Sequence, residues 1–386
     1  MQKSVSFNLL ALAFGLFSFV AQANAQDHHD LGQADHNEDS ELVAGDESAH
    51  GPETDEGFNA TEMIMHHILD SHDWHIMDID GHAVSIPLPV ILWTDNGLVT
   101  FMSSAFHHDD EGHHVVEAGD QRFVKVHEKI YYASEQANEA GQYVEMHDHH
   151  PVNAKPIDLS LTKNAASLMV AFLLILWIFT SAARFYKKNG ATTPRGLASF
   201  LEPLILFVRD DIARDNIGEK KYQKFVPYLL TLFFFIWINN LLGLIPFFPG
   251  GANVTGNIAV TLTLALFSLI IVNANANKDY WKHIFTPSVH PLMWIIMIPV
   301  ELIGVFTKPF ALMVRLFANI TAGHIVVLSL ISLIFIFESV AIAPGSIILA
   351  LFISVLELLV AVLQAYIFTM LTALFIGMAV AEHDHH

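Results

Sequence analysis

The sequence predicts an all-α membrane protein: one upright span, an amphipathic surface helix, a transmembrane helical hairpin and a long tilted in-membrane helical hairpin, preceded by a small N-terminal exported α+β extension. Three observations carry that fold class. Of 386 residues, 53% are hydrophobic and 15% are charged, with a mean hydropathy of +0.43, a composition of integral membrane proteins. Beyond an apolar leader, the long apolar runs all lie after residue 157. Charge is segregated: no Lys or Arg stands between Lys3 and Arg122, whereas nine of the nineteen bases lie between Arg184 and Lys224. Basic segments beside spans stay in the cytoplasm, so the acidic N-terminal third is expected to be exported. The net charge of −20 therefore describes no single face of the molecule, and the absence of Cys excludes disulfide and thiol chemistry.

The elements follow in order. Residues 1–25 have one base, an apolar run of about 13 residues and an Ala23-Asn24-Ala25 ending, which reads as a signal peptide with an A-x-A cleavage site. Residues 26–60 are rich in acids and His, hold no Lys or Arg and have few large apolar side chains, so disorder is expected. Residues 61–156 read as a small exported domain. The stretch 61–72 ("TEMIMHHILDSH") has the pattern of a short amphipathic helix. Two β-rich runs flank Asp95-Asn96-Gly97, a hairpin signal. "QRFVKVHEKIYYA" adds another strand.

Residues 157–386 form the expected membrane domain. Ala165 to Ala183 is 19 uncharged residues, enough for one span, and Arg184, Lys187 and Lys188 hold its far end in the cytoplasm. Residues 194–224 join "LASFLEPLILFV" to a charged run, the pattern of a helix on the cytoplasmic surface. Phe225 to Phe248 returns across, Pro249-Gly250-Gly251 turns, and Asn257 to Val272 crosses again, with Lys278 and Lys282 beyond. Residues 291–337 and 345–381 are each mostly apolar. As helices they would be about 70 and 55 Å long, against a hydrocarbon core of about 30 Å. They must therefore break or tilt strongly. Pro299 and Pro309 permit kinks, and Ala343-Pro344-Gly345 supplies the turn between the two.

Polar groups inside such helices are costly and mark function. Glu301, Lys308 and Arg315 are spaced by seven and share one helix face; Asn319 is one turn beyond Arg315, and His324 lies about 180° round. On the second helix Glu357 and Gln364 are also seven apart. An antiparallel hairpin turning near residue 340 places His324 level with Glu357 and Arg315 level with Gln364. Lys308 reads as a snorkelling or structural residue; Asn319 and Gln364 also suit interhelical hydrogen bonds.

These residues resemble the a-subunit family of rotary ATP synthases, the membrane stator subunit. "KPFALMVRLFANITAGH" is similar to that family's K-P-x-x-x-x-x-R-L-F-x-N-x-x-A-G run, "LQAYIFTMLTALFIGMA" to its C-terminal signature and "YLLTLFFFIWINNLLGLIPF" to its third helix. The resemblance covers roughly residues 155–386, and more weakly 61–80. It implies that Arg315 faces a rotating ring of c subunits, each with a buried carboxylate, and separates two offset half-channels. It further implies that His324, Glu357, Gln364, Asn319, Glu301 and Asn240 serve ion translocation. Implied partners are the c ring, peripheral-stalk b subunits, the lipid bilayer and translocated H⁺; no cofactor, metal or nucleic acid is implied. The place is a bacterial inner membrane, with the extension in the periplasm and the C-terminus in the cytoplasm. Many bacterial relatives carry Glu where His324 stands and His where Glu357 stands; here the two are exchanged. An acid common in the third helix is replaced by Gly243, leaving Asn239 and Asn240 there.

Other function classes remain to be set against this. A Na⁺-coupled version differs chiefly in the ring's own site. A secondary transporter would use Arg315 for an anionic substrate, but neither internal repeats nor discontinuous helices in matching halves are visible. A metal-handling protein would rest on the 17 His between residues 26 and 150, which show no recurring ligand spacing. No G-x-x-x-x-G-K-[ST] pattern exists for a nucleotide site, so a non-catalytic channel subunit is expected.

Overall fold

A computed structural model describes residues 64, 68–79, 82–147, 150–190, 192–245, 250–287, 290, 293–337, 339 and 341–381. The expected signal peptide and disordered segment lie outside the described residues, as do half of the short helix over 61–72 and Pro249 of the Pro-Gly-Gly turn.

The extension is built of short antiparallel strands: β1 (Asp73–Ile79), β2 (His82–Pro87), β3 (Pro89–Thr94), β4 (Gly97–Met102), β5 (Val116–Ala118), β6 (Gln121–Val126), β7 (Lys129–Tyr132), β8 (Met146–His147), β9 (His150–Pro151) and β10 (Ile157–Asp158). β3 and β4 make the hairpin expected around Asp95-Asn96, and β10 returns to pair with β3. The single strand expected over "QRFVKVHEKIYYA" is instead two, β6 and β7. His127 and Glu128 turn the chain between them with φ of 48° and 60°, the tight hairpin geometry that matches strand twist; no Gly or Asn signals it. Val90, Leu92, Phe106, Phe123 and Ile130 form the core between the two three-stranded sheets.

Among the described residues seven α-helices of eight residues or more follow: α1 (Lys163–Asn189), α2 (Leu197–Phe207), α3 (Tyr222–Leu244), α4 (Ile258–Ala274), α5 (Lys278–Phe285), α6 (Trp294–Ile336) and α7 (Ala343–Val380). Among the described residues α1, α3, α6 and α7 are long and apolar enough to cross a membrane. A fifth span is reached if α4 and α5, bent by 101°, count as one. Thr162 caps α1, its hydroxyl accepting from Ala165 N–H, and Lys187 and Lys188 end it. α2 continues through a π-helical stretch (Val208–Arg214), and buries Ala198, Leu201, Val208 and Ile212 against the bundle while Asp211 stays outside. α6 runs as one helix of 43 residues through Pro299 and Pro309, so of the two expected accommodations, breaking or tilting, it does not break into separate helices. Membrane helices tolerate proline because neighbouring groups re-satisfy the freed carbonyl. At about 65 Å α6 is about twice the hydrocarbon thickness.

The extension is fastened to the bundle at two places. At the head of α1, Lys163 N–H donates to Ser71 O at 2.8 Å and Asn164 N–H to Asp70 Oδ1 at 2.9 Å. At the α3–α4 connection, Trp74 Nε1–H donates to Gly250 O at 3.1 Å. Behind the first lies a buried charge cluster. His72, 1% exposed, meets Asp158 Oδ2 at 2.9 Å through Nε2, and its backbone N–H donates to Glu128 Oε2 at 3.1 Å. Lys125 Nζ donates to Glu128 Oε1 at 3.3 Å. Burial opposes charge on His72, but the bonds to Asp158 and Glu128 outweigh it and push its pKa up to about 10. Burial likewise opposes ionisation of Glu128, yet His72 and Lys125 hold its carboxyl down to about 2.

Candidate functional site

α6 and α7 pack as an antiparallel hairpin against α3 and α4. In it His324 Nδ1 lies 3.4 Å from Glu357 Oε1, with side chains 18% and 13% exposed. The register expected from a turn near residue 340 is therefore the one adopted. Gly323 makes it possible: a Cβ there would overlap the Glu357 carboxylate. That residue carries no titratable group, so its part escapes a search for polar side chains.

The second level pair does not come together. Gln364 is buried, 3% exposed, while Arg315 is exposed on the outside of α6, and no hydrogen bond joins them among the described residues. Arg315 stands instead among outward apolar side chains, with Phe310 59% and Val314 39% exposed. Asn319, one turn on, shares that exposed surface. The row Glu301, Lys308 and Arg315 is not one uniform face either. Seven residues fall about 20° short of two turns, so the row drifts around the helix. Lys308 turns inward, its Nζ 5.5 Å from the centre of the Phe375 ring on α7, and Glu301 is half-buried.

Two polar regions flank Arg315 along α6. Towards its C-terminal end is the His324–Glu357 pair. Near it Asn240, 2% exposed, donates from Nδ2 to Ala361 O at 3.4 Å and accepts from Thr255 Oγ1 at 2.6 Å. Ala361 lies one turn from both Glu357 and Gln364, so Asn240 ties α3 and the α3–α4 connection to that stretch of α7. Thr255 had no sequence signal of its own; only the return of the connection shows it. Asn239 donates to Phe235 O at 2.8 Å. Asn239 Oδ1, Thr321 Oγ1 and His324 Nδ1 are buried with no protein hydrogen-bond partner among the described residues, His324 facing Glu357 at ion-pair distance without hydrogen-bond geometry, so all three are open to transient partners. Gly243 faces Ala252 O, which a Cβ would meet at 3.2 Å, so backbone occupies the space where an acid would stand.

Towards the N-terminal end of α6, a small cavity is lined by Ser268, Asn273, Tyr280, Lys308, Leu312 and Phe375. Tyr228 OH and Ser268 Oγ are 2.9 Å apart at its edge. Along the helix, Lys308 and His324 are about 10 and 13 Å from Arg315. The arrangement is a buried polar cluster at His324, Glu357 and Asn240 and, at a separate level, a small cavity into which Lys308, Asn273 and Tyr280 bring polar groups, with a permanent cation between their levels and on the outer surface. In the extension, no three His, Cys, Asp or Glu side chains converge as a metal site among the described residues.

Comparison with known proteins matches residues 165–377 to the family model described as ATP synthase A chain, and residues 63–159 to a domain of unknown function, DUF8433. An ATP synthase subunit a of Chloroherpeton thalassium is 52% identical over 234 residues, covering 59% of this chain and 69% of that protein. An ATP synthase subunit a 2 of Chlorobaculum tepidum is 50% identical over 236 residues, covering 59% and 66%. An ATP synthase subunit a of an Anaeromyxobacter species is 47% identical over 253 residues, covering 64% and 60%.

Proposed function

As this chain belongs to the ATP synthase A chain family, we propose that it is the ion-translocating stator subunit of a rotary ATP synthase, coupling H⁺ flow to rotation of a c ring. The observation that carries this reading is the placement of Arg315, exposed on an apolar outer surface at a level between the part-buried His324–Glu357 pair and the small cavity at Lys308. A guanidinium keeps its charge at any physiological pH. A ring carboxylate arriving opposite it is attracted and favoured in its ionised form. Its proton leaves through one of these sites, and the next carboxylate is loaded through the other. The fixed cation blocks direct passage between the two, so the ring must turn. The membrane potential contributes about 2.3 kcal/mol per charge per 100 mV to that movement.

In this reading His324 and Glu357 relay protons in the outer half-channel, with Asn240 positioning that stretch of α7. Glu301 lies on the inner path, and Asn319 and Gln364 support the helix surfaces beside Arg315. The exchange of acid and imidazole relative to many bacterial relatives keeps one of each at the same level. That preserves a relay and favours H⁺ over Na⁺. The small domain (61–156) lies in the periplasm and the last helix ends on the cytoplasmic side of a bacterial inner membrane. The membrane domain (157–386) crosses five times, with α2 on the cytoplasmic side and the α6–α7 hairpin oblique. Peripheral-stalk b subunits hold it against rotation.

ATP-driven proton uptake into inverted vesicles tests the reading. Arg315→Ala and Arg315→Lys should both abolish uptake with the complex still assembled, because a buried ammonium can lose its proton and a guanidinium does not. Normal uptake in Arg315→Lys overturns the assignment. Failure to copurify with a c ring and a catalytic head would favour a transporter instead.

A further inference from the structure

The sheet β10–β3–β4 has two apolar faces, and only one of them is used by the core. Leu92, Val90 and Val99 point inward against Phe123 and Ile130. On the other side Ile157 pairs with Trp93 and Trp93 with Leu98, so these three stand in one cross-strand row. They are 58%, 56% and 58% exposed. The next row carries Ile91 and Leu159, brought level by the Leu159 N–H bond to Ile91 O at 2.8 Å, together with Thr100. Met102, 45% exposed, stands at the near end. Thr100 is the one hydroxyl on a face otherwise without polar side chains. Alternation requires one apolar face in a half-buried strand, not two, and a contiguous exposed apolar surface marks an interaction site.

What covers it follows from where the strand leads. Beyond β10 the chain stays alongside β3 as far as Leu161, whose N–H donates to Pro89 O at 3.0 Å, and α1 begins at Lys163. The row at Ile157 is thus at most about 20 Å of chain from the head of a span. α1 continues with Met169, Leu173 and Trp177 turned outward, 54%, 60% and 61% exposed, four residues apart on one lipid-facing stripe. α1 packs against α2, α3 and the turn Val254–Gly256, which leaves its Met169–Trp177 stripe uncovered. The sheet face holds no charge, and its largest side chain is Trp, the residue enriched where bilayer meets water.

We propose that this face of the extension lies in the headgroup region of the outer leaflet, making the domain of unknown function a monotopic membrane element fixed beside the bundle. The apolar side chains enter the boundary to a depth of about 5–10 Å, and on the opposite side of the same sheet Asp158 bonds His72, next to the Asp70 and Ser71 that accept from the head of α1. The inference rests on the membrane placement of α1, not on the ion-translocation reading.

The chain has no Cys, so single labels can be placed. Trp93→Cys, Leu98→Cys and Ile157→Cys, each carrying a nitroxide, are compared with Glu117→Cys, whose native side chain is 81% exposed on β5. The complex, freed of other reactive cysteines, is reconstituted in vesicles of phosphatidylethanolamine and phosphatidylglycerol. Accessibility to dissolved oxygen and to a water-soluble nickel chelate is then measured. The oxygen-to-chelate ratio should be several-fold higher at the three sheet positions than at 117. Chelate access at 93, 98 and 157 matching that at 117 overturns the proposal. So does shielding from both reagents, which would mean a protein partner covers the face.

Discussion

Gly323→Ala isolates the geometry of the proposed proton relay without touching a titratable group. A Cβ at residue 323 would overlap Glu357 Oε1, while an ordinary non-bonded contact needs about 3.5 Å. The obstructed atom is the end of a flexible side chain, so the hairpin keeps its packing and the carboxylate retreats by about an ångström. His324 Nδ1 and Glu357 Oε1 are 3.4 Å apart, and that retreat takes them out of reach. Misplacement by about 1 Å in a catalytic array costs up to about 10²-fold in rate. Proton uptake in inverted vesicles should therefore fall by one to two orders of magnitude, with c-ring association unchanged. Adding Glu357→Asp, one methylene shorter, makes room for the new methyl and should recover part of the loss. Wild-type flux in Gly323→Ala, or no gain from the second change, refutes the reasoning.

Other consequences can be measured alongside. His324→Ala and Glu357→Gln should each slow flux severely, and the double exchange His324→Glu with Glu357→His should restore a substantial part; single effects that simply add in free energy would show independent residues. His72→Gln leaves Asp158 and Glu128 buried without their shared cation and should destabilise the extension by about 3–5 kcal/mol, read as protease sensitivity of the assembled complex. In the unaltered protein the His72 contribution is full below pH 6.5 and is lost as pH rises through about 10, because its folded pKa is raised. Glu128, lowered to about 2 from 4.5, contributes above pH 4.5 and fails as pH falls towards 2, so proteolysis should be slowest between those limits. Gly243→Asp should push the Ala252 carbonyl outward and weaken the Thr255–Asn240 bond, lowering flux while Gly243→Ala does so less.

Much of this protein was legible in its sequence because membrane insertion is written in one dimension. Apolar length sets where a chain can span, basic clusters set orientation, and a turn near residue 340 sets which residues of α6 and α7 are level. His324 and Glu357 could be paired that way because both project into the same hairpin seam. Arg315 and Gln364 are level by the same arithmetic yet part company, since the direction each side chain takes around its helix depends on how the hairpin leans on α3 and α4. Only packing decides that Lys308 turns inward, that Thr255 reaches Asn240 and that Gly323 yields its space to a carboxylate. These contacts join residues far apart in the chain, and one of them depends on the absence of a side chain.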